Sequence, residues 1–149
     1  MRRTDSMQGG EDISKMTVAD VMETDVYYYA EDSRGDQMAT AMILGKFGSI
    51  PIVNKDKKLI GIVSEFDLLK AIKNRRKLRE ITAREIMTKS PITVREENRV
   101  EELINLLHRE HLIRVPVLDG EGKLVGIVAR RDILQGYIKS EATRPPWWF

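Results

Sequence analysis

Residues 51–69 read PIVNKDKKLIGIVSEFDLL, and residues 116–134 read PVLDGEGKLVGIVARRDIL. Slid onto each other at an offset of 65 residues, the stretches agree at Pro51/Pro116, Lys58/Lys123, Leu59/Leu124, Gly61/Gly126, Ile62/Ile127, Val63/Val128, Asp67/Asp132 and Leu69/Leu134. At the same offset Met22 meets Met87 and Glu31 meets Glu96, and Ile50/Val115, Ile52/Val117 and Ile60/Val125 pair in kind. Repetition at one fixed period means one structural unit built twice.

Each copy carries the same order of signals. A short apolar segment (26–29; 92–94) runs into a polar break, Asp32-Ser33 or Glu97-Asn98, suited to capping a helix. In the second copy Val100, Leu103, Ile104 and Leu107 recur at i, i+3, i+4 and i+7, one apolar helical stripe. The first copy has Gly35, Met38, Ala39 and Met42 there, a flatter face. Two β-rich runs follow, 50–53 with 59–63 and 115–118 with 124–128, joined by Asn54-Lys55-Asp56-Lys57 or Asp119-Gly120-Glu121-Gly122. A helix closes each copy, over 65–72 and 130–138. The expectation is an α/β (α+β) chain of β-α-β-β-α units, twice. Strands this short cannot bury their faces alone, so the copies are expected to pack on each other around a cleft. The expected boundaries are a disordered segment 1–14, a first repeat 15–72, a basic linker 73–82, a second repeat 83–139 and an aromatic tail 140–149.

Composition narrows the function. The 25 Lys and Arg against 23 Asp and Glu leave a net charge of +2, giving the chain no overall reason to coat a nucleic acid or an anionic membrane. The absence of cysteine excludes a disulfide framework, a thiolate nucleophile and a cysteine zinc site, and fits a reducing, cytoplasmic setting. The longest uncharged run, 37–45, falls well short of the roughly 18–20 residues of a spanning helix. Met1-Arg2-Arg3 leads into polar and acidic residues, so no signal peptide is expected. His108 and His111 stand three apart, without cysteine and matched to Ile43 and Lys46 in the first copy, so they read as surface or interface residues and no metal is expected. Ser64 has no histidine in its own half to activate it, and no catalytic residue is expected.

Gly61-Ile62-Val63-Ser64-Glu65-Phe66-Asp67 sets a strand end, a hydroxyl and a carboxylate in one arc, and it has two readings. Ser64 three residues before Asp67 is the pattern of a helix cap with an acid at the third position, which needs no ligand. The second copy, Ala129-Arg130-Arg131-Asp132, has lost the hydroxyl and kept the acid. A carboxylate there can take two hydrogen bonds from a vicinal diol, while the helix N-terminus offers N–H groups to phosphates. Those are the needs of a nucleotide.

With the apolar-Pro-apolar strands (Ile50-Pro51-Ile52; Val115-Pro116-Val117), the Gly-Ile-Val-Ser/Ala-x-x-Asp elements and the openings Asp20-Val21-Met22 and Glu85-Ile86-Met87, the chain resembles a cystathionine-β-synthase (CBS) domain pair, or Bateman module, over about residues 16–139. The resemblance implies tandem repeats with pseudo-two-fold symmetry and a disc-shaped homodimer. It implies a stand-alone regulatory module, with no cofactor required, that binds AMP, ADP, ATP or S-adenosylmethionine between the repeats and signals to a partner protein. One implied site has Asp67 and Ser64 near the ribose, Ile62 beneath it, and Ile92, Leu112 and Ile113 enclosing the adenine. The other has Asp132 on the ribose, Ile127 beneath, Arg114 facing phosphates, and Val26, Tyr27, Phe47 and Gly48 around the base. Ser49 stands where the first repeat would need a phosphate-binding cation, and Ala129 replaces the second hydroxyl, so neither site is complete. The alternative is a protein or nucleic-acid adaptor that uses the basic run 73–79 and the tail Arg144-Pro145-Pro146-Trp147-Trp148-Phe149, with vestigial clefts.

Overall fold

The computed structural model describes residues 13–141. The elements are α1 (Val18–Val21), β1 (Tyr29–Ala30), α2 (Gly35–Gly45), β2 (Ser49–Val53), β3 (Leu59–Ser64), α3 (Glu65–Lys73), α4 (Ala83–Ile86), β4 (Thr88–Lys89), β5 (Val94–Arg95), α5 (Val100–Arg109), β6 (Arg114–Leu118), β7 (Leu124–Ala129) and α6 (Arg130–Glu141), with 3-10 turns at Ile13–Lys15 and Leu78–Glu80. The expected β-α-β-β-α order is present in both copies, as β1-α2-β2-β3-α3 and β5-α5-β6-β7-α6. The short elements α1, α4 and β4 are additions that the sequence reading did not contain. The turn Ile13–Lys15 begins inside the stretch expected to be disordered, because Ile13 packs against a buried cluster. The rest of that stretch and the aromatic residues of the tail lie outside the described residues.

One sheet has the order β1-β2-β3-β4 and the other β5-β6-β7. β1 runs parallel to β2, and β5 parallel to β6. Each short first strand covers only the second half of its neighbour, pairing with Ile52 and Val53 or with Val117 and Leu118. Pro51 and Pro116 therefore sit where a missing N–H costs no ladder bond on that side. Ser33 and Asn98, expected as helix caps, instead close the preceding turns. Ala30 N–H donates to Ser33 Oγ at 3.2 Å and Arg95 N–H to Asn98 Oδ1 at 2.8 Å. Arg34 and Arg99 hold the N-cap positions.

The chain forms two compact units, and these exchange their opening segments. The second-repeat unit combines residues 93–119 and the chain from Val125 with the segment that ends at Asp25. Val18 N–H donates to Asn98 O at 2.8 Å and Val100 N–H to Met16 O at 2.9 Å. Val18 lies in one buried cluster with Val100, Leu103, Leu107, Val115, Val117 and Val128. The first-repeat unit spans residues 26–92 with 120–124 and repeats these bonds at matching positions. Ala83 N–H donates to Ser33 O and Gly35 N–H to Ile81 O, both at 2.9 Å. Ala83 lies in its cluster with Met38, Met42, Ile50, Ile52, Val63 and Leu68. Gly35, Met38 and Met42, three residues of the flatter face read in the first copy, are buried core residues of this unit.

The exchange accounts for two of the repeated identities. A Cβ built on Gly61 would stand 2.5 Å from Met87 Sδ, and one on Gly126 would stand 2.8 Å from Met22 Sδ. Both would also meet backbone, Thr88 O or Glu23 O, at 3.0 Å. Glycine in the strand and methionine in the docking segment are thus one packing requirement, met once in each unit. Asp20 and Glu85 close the caps of α1 and α4, accepting from Thr17 N–H and Thr82 N–H at 2.8 Å each.

Candidate functional site

In the first-repeat unit Ser64 caps α3. Asp67 N–H donates to Ser64 Oγ at 3.2 Å, and Ser64 N–H donates to Asp67 Oδ2 at 2.8 Å, a complete capping box. In the second-repeat unit Ala129 N–H donates to Asp132 Oδ2, again at 2.8 Å. Half of the box survives without the hydroxyl, so the recurrence of the acid has a structural cause of its own. Both carboxylates are half-buried. In both units Oδ2 of the acid is held by a backbone N–H at the start of the closing helix.

The start of each closing helix is anchored in the same way. Glu65 N–H donates to Gly48 O and Arg130 N–H to Ile113 O, both at 3.0 Å. Gly48 and Ile113 thus hold equivalent places, each just before the strand that carries Ser49 or Arg114. Arg114 opens β6 half-buried. Burial pulls its guanidinium below the ordinary arginine value, and the charge of Asp132 opposes that shift. The second-repeat unit therefore brings Arg114 and Asp132 into electrostatic reach of each other. Leu112 is half-buried in this unit, Ile113 is exposed, and Ile127 is only 5 % exposed. Ile127 has little surface to offer beneath a sugar, because β7 places it in the core.

The first-repeat unit holds Asp67, Ser64, Ile62, Ile92, Val26, Tyr27, Phe47 and Gly48. Tyr27 and Phe47 stack with ring centroids 5.3 Å apart and planes 30° apart, and Tyr27 is 64 % exposed. An exposed ring backed by a second ring is a platform for a flat heterocycle. Asp67 also lines a hollow of about 190 Å³ with Lys70, Asn74, Arg76 and Glu85. Lys70 and Arg76 supply cations that the sequence reading missed; Lys70, one helical turn after Asp67, was the signal available. Arg76 belongs to the basic run read as an adaptor patch, and its Nη2 donates to Glu85 Oε2 at 3.3 Å.

His111 sits in left-handed backbone (φ 55°) just past the end of α5, as Lys46 does (φ 57°) past α2. Among the described residues no three or more His, Cys, Asp or Glu gather to hold a metal. No helix among them is long and apolar enough to cross a membrane.

These features define a tandem-repeat α/β fold, and the CBS domain family model matches residues 18–74 and 83–139, so the chain belongs to the CBS domain family. An uncharacterized protein of Methanopyrus kandleri is 36 % identical over 121 residues, which cover 80 % of this chain and 62 % of that protein. The chain spans only 24 % of two enzymes it also matches at 29 % identity, a homoserine O-acetyltransferase of Methanohalobium evestigatum and an inosine-5'-monophosphate dehydrogenase of Methanocaldococcus jannaschii. Among solved structures, the CBS domain pair of protein MJ0100 in complex with 5'-methylthioadenosine and S-adenosyl-L-methionine superposes with a TM-score of 0.72 at 27 % identity, covering 83 % of this chain and 97 % of that one. CBSX2 of Arabidopsis thaliana in complex with AMP gives 0.74 at 26 %, covering 86 % and 98 %.

Proposed function

We propose that this CBS pair is a regulatory, non-catalytic module that binds an adenosine-containing ligand (AMP, ADP, ATP or S-adenosylmethionine), with Asp132 on the ribose diol and Arg114 on the phosphates. The observation that carries the reading is that Arg114, which opens β6, lies within electrostatic reach of Asp132, whose Oδ2 accepts from Ala129 N–H at the start of α6, so a cation and a carboxylate able to accept from a diol stand near one helix N-terminus. The two similar structures that hold adenosine ligands support the ligand class. Asp67, Ser64 and Ile62 form the matching ribose side of the first repeat, and the Tyr27–Phe47 pair is the proposed base platform. Val26, Gly48, Ile92, Leu112 and Ile113 stay in the proposal as base contacts.

The reading includes a homodimer and a regulated partner protein. Exposed Ile43, Leu44, Phe66 and Leu69 on α2 and α3 support self-association. A thermal-shift series with the four ligands and 5'-methylthioadenosine tests it. Ligand at a hundred times its dissociation constant adds about 2.7 kcal/mol, which raises Tm by about 5–10 °C at this chain length. No shift with any of them contradicts it.

A further inference from the structure

The first copy has Tyr27, Phe47, Gly48 and Glu65 where the second has Ile92, Leu112, Ile113 and Arg130. The backbone anchor beneath these side chains is the same in both, Glu65 N–H donating to Gly48 O and Arg130 N–H to Ile113 O at 3.0 Å. The fold therefore does not require the four residues, since the second copy builds the same anchor without them. In the first-repeat unit two glycines give their neighbours room. A Cβ on Gly45 would collide with the Phe47 ring, so the ring lies against the end of α2. A Cβ on Gly48 would stand 3.1 Å from Glu65 Oε1, so the Glu65 carboxylate lies over the residue that follows Phe47. Tyr27 stacks on Phe47 with its own ring 64 % exposed. Among the described residues the Glu65 carboxylate has no hydrogen-bond or ion-pair partner. The unit thus sets an anionic acceptor one residue along from an exposed aromatic platform.

Resting on the adenosine reading above, with Tyr27 and Phe47 as the base platform, we infer that Glu65 is a specificity-determining residue whose carboxylate accepts from the exocyclic 6-amino group of the stacked adenine and rejects a 6-oxo purine. An ionised carboxylate only accepts, so it pairs with an amino group, as acidic side chains do with the amino group of cytosine. A 6-oxo group sets two acceptors against each other and leaves a charged group without its partner. Arg130, at the matching position, only donates and has the opposite preference.

The experiment titrates AMP, IMP and GMP calorimetrically into the parent chain, Glu65→Ala, Glu65→Gln and Arg130→Ala. AMP and IMP carry the same phosphate, so the ratio of their affinities is insensitive to a change in the charge of the protein. The parent is expected to prefer AMP over IMP by about tenfold or more, the effect of one charge-assisted hydrogen bond. Glu65→Ala is expected to lose most of that ratio through weaker AMP binding. Glu65→Gln is expected to lose it through tighter IMP binding, because a side-chain amide can turn to donate to the 6-oxo group. Arg130→Ala is expected to keep it. A preference for AMP that survives both Glu65 substitutions overturns the inference alone, as does equal binding of AMP and IMP by the parent. A parent preference for GMP that Glu65→Ala removes also overturns it, assigning the carboxylate to the N–H edge of guanine. Binding of none of the three overturns it too, and the thermal-shift series with S-adenosylmethionine and 5'-methylthioadenosine then decides the adenosine reading separately.

Discussion

Ala129 donates its backbone N–H to Asp132 Oδ2 at 2.8 Å, the distance at which Ser64 holds Asp67 Oδ2. The carboxylate thus does two jobs that substitutions can separate. Asp132→Asn keeps an oxygen to accept from Ala129 and loses the charge offered to a diol. Asp132→Ala loses both. Ligand-free stability is expected to stay near the parent value in the first and to fall by about 0.5–2 kcal/mol in the second, read by thermal unfolding. Charge-assisted hydrogen bonds contribute about 1.5–3 kcal/mol, so both variants are expected to bind AMP at least about tenfold more weakly by calorimetric titration.

The Gly126–Met22 contact predicts non-additive stability. Gly126→Ala puts a methyl group against Met22 Sδ and Glu23 O and is expected to cost about 1–3 kcal/mol in urea unfolding. Added to Met22→Ala, the same substitution is expected to cost less than the sum of the single changes, since the side chain it strikes is gone. Additive costs would show that the opening segment does not pack on β7. Gly61 and Met87 give the same test in the other unit.

Acid sensitivity follows from Glu85. The Thr82 N–H first, and the Arg76 guanidinium second, hold its carboxyl below the usual glutamate range. A depressed folded-state pKa contributes stability that is present above the unfolded value and is lost as pH falls through the folded one. The hydrogen bond and charge of Arg34 lower Asp36 in the same direction. Glu85→Gln is therefore expected to flatten the acid limb of the stability profile while leaving the alkaline limb unchanged. Urea midpoints across the carboxylate titration range check this.

The basic run 73–79 predicts weak, salt-sensitive contact with polyanions. Its residues beyond Lys73 are mostly exposed, but Arg76 is engaged by Glu85, and Leu78–Glu80 form a turn whose following residue, Ile81, bonds Gly35. Retention on heparin is expected to vanish at moderate ionic strength, whereas nucleotide affinity is expected to persist. Tight polyanion binding that falls steeply with ionic strength, with no nucleotide bound, would favour the adaptor alternative.

Much of the architecture was legible because period and offset are local signals. The stripe at Val100, Leu103 and Leu107 is buried as its spacing requires, and the strands around Pro51 and Pro116 stand where β-rich composition put them. The exchange of opening segments was not legible. Thr17 with Asp20 and Thr82 with Glu85 announce a helix start, but no local pattern says which of two similar bodies that helix joins. The exposure of Ile104 depends on neighbours far along the chain, which spacing alone does not report, and so does the burial of Ile127, which the family resemblance had set beneath the ribose. Asp132 was found by its recurrence, and its backbone bond to Ala129 was hidden because every residue but proline carries an amide donor, which leaves no mark in the sequence.

The most direct test of the account compares AMP with adenosine by calorimetric titration into the parent chain and into Arg114→Gln. The account predicts that the parent binds AMP more tightly than adenosine, and that the substitution removes this preference while adenosine affinity and ligand-free Tm stay close to the parent values. Equal preference for AMP in both proteins, or no binding of either ligand by the parent, would contradict it.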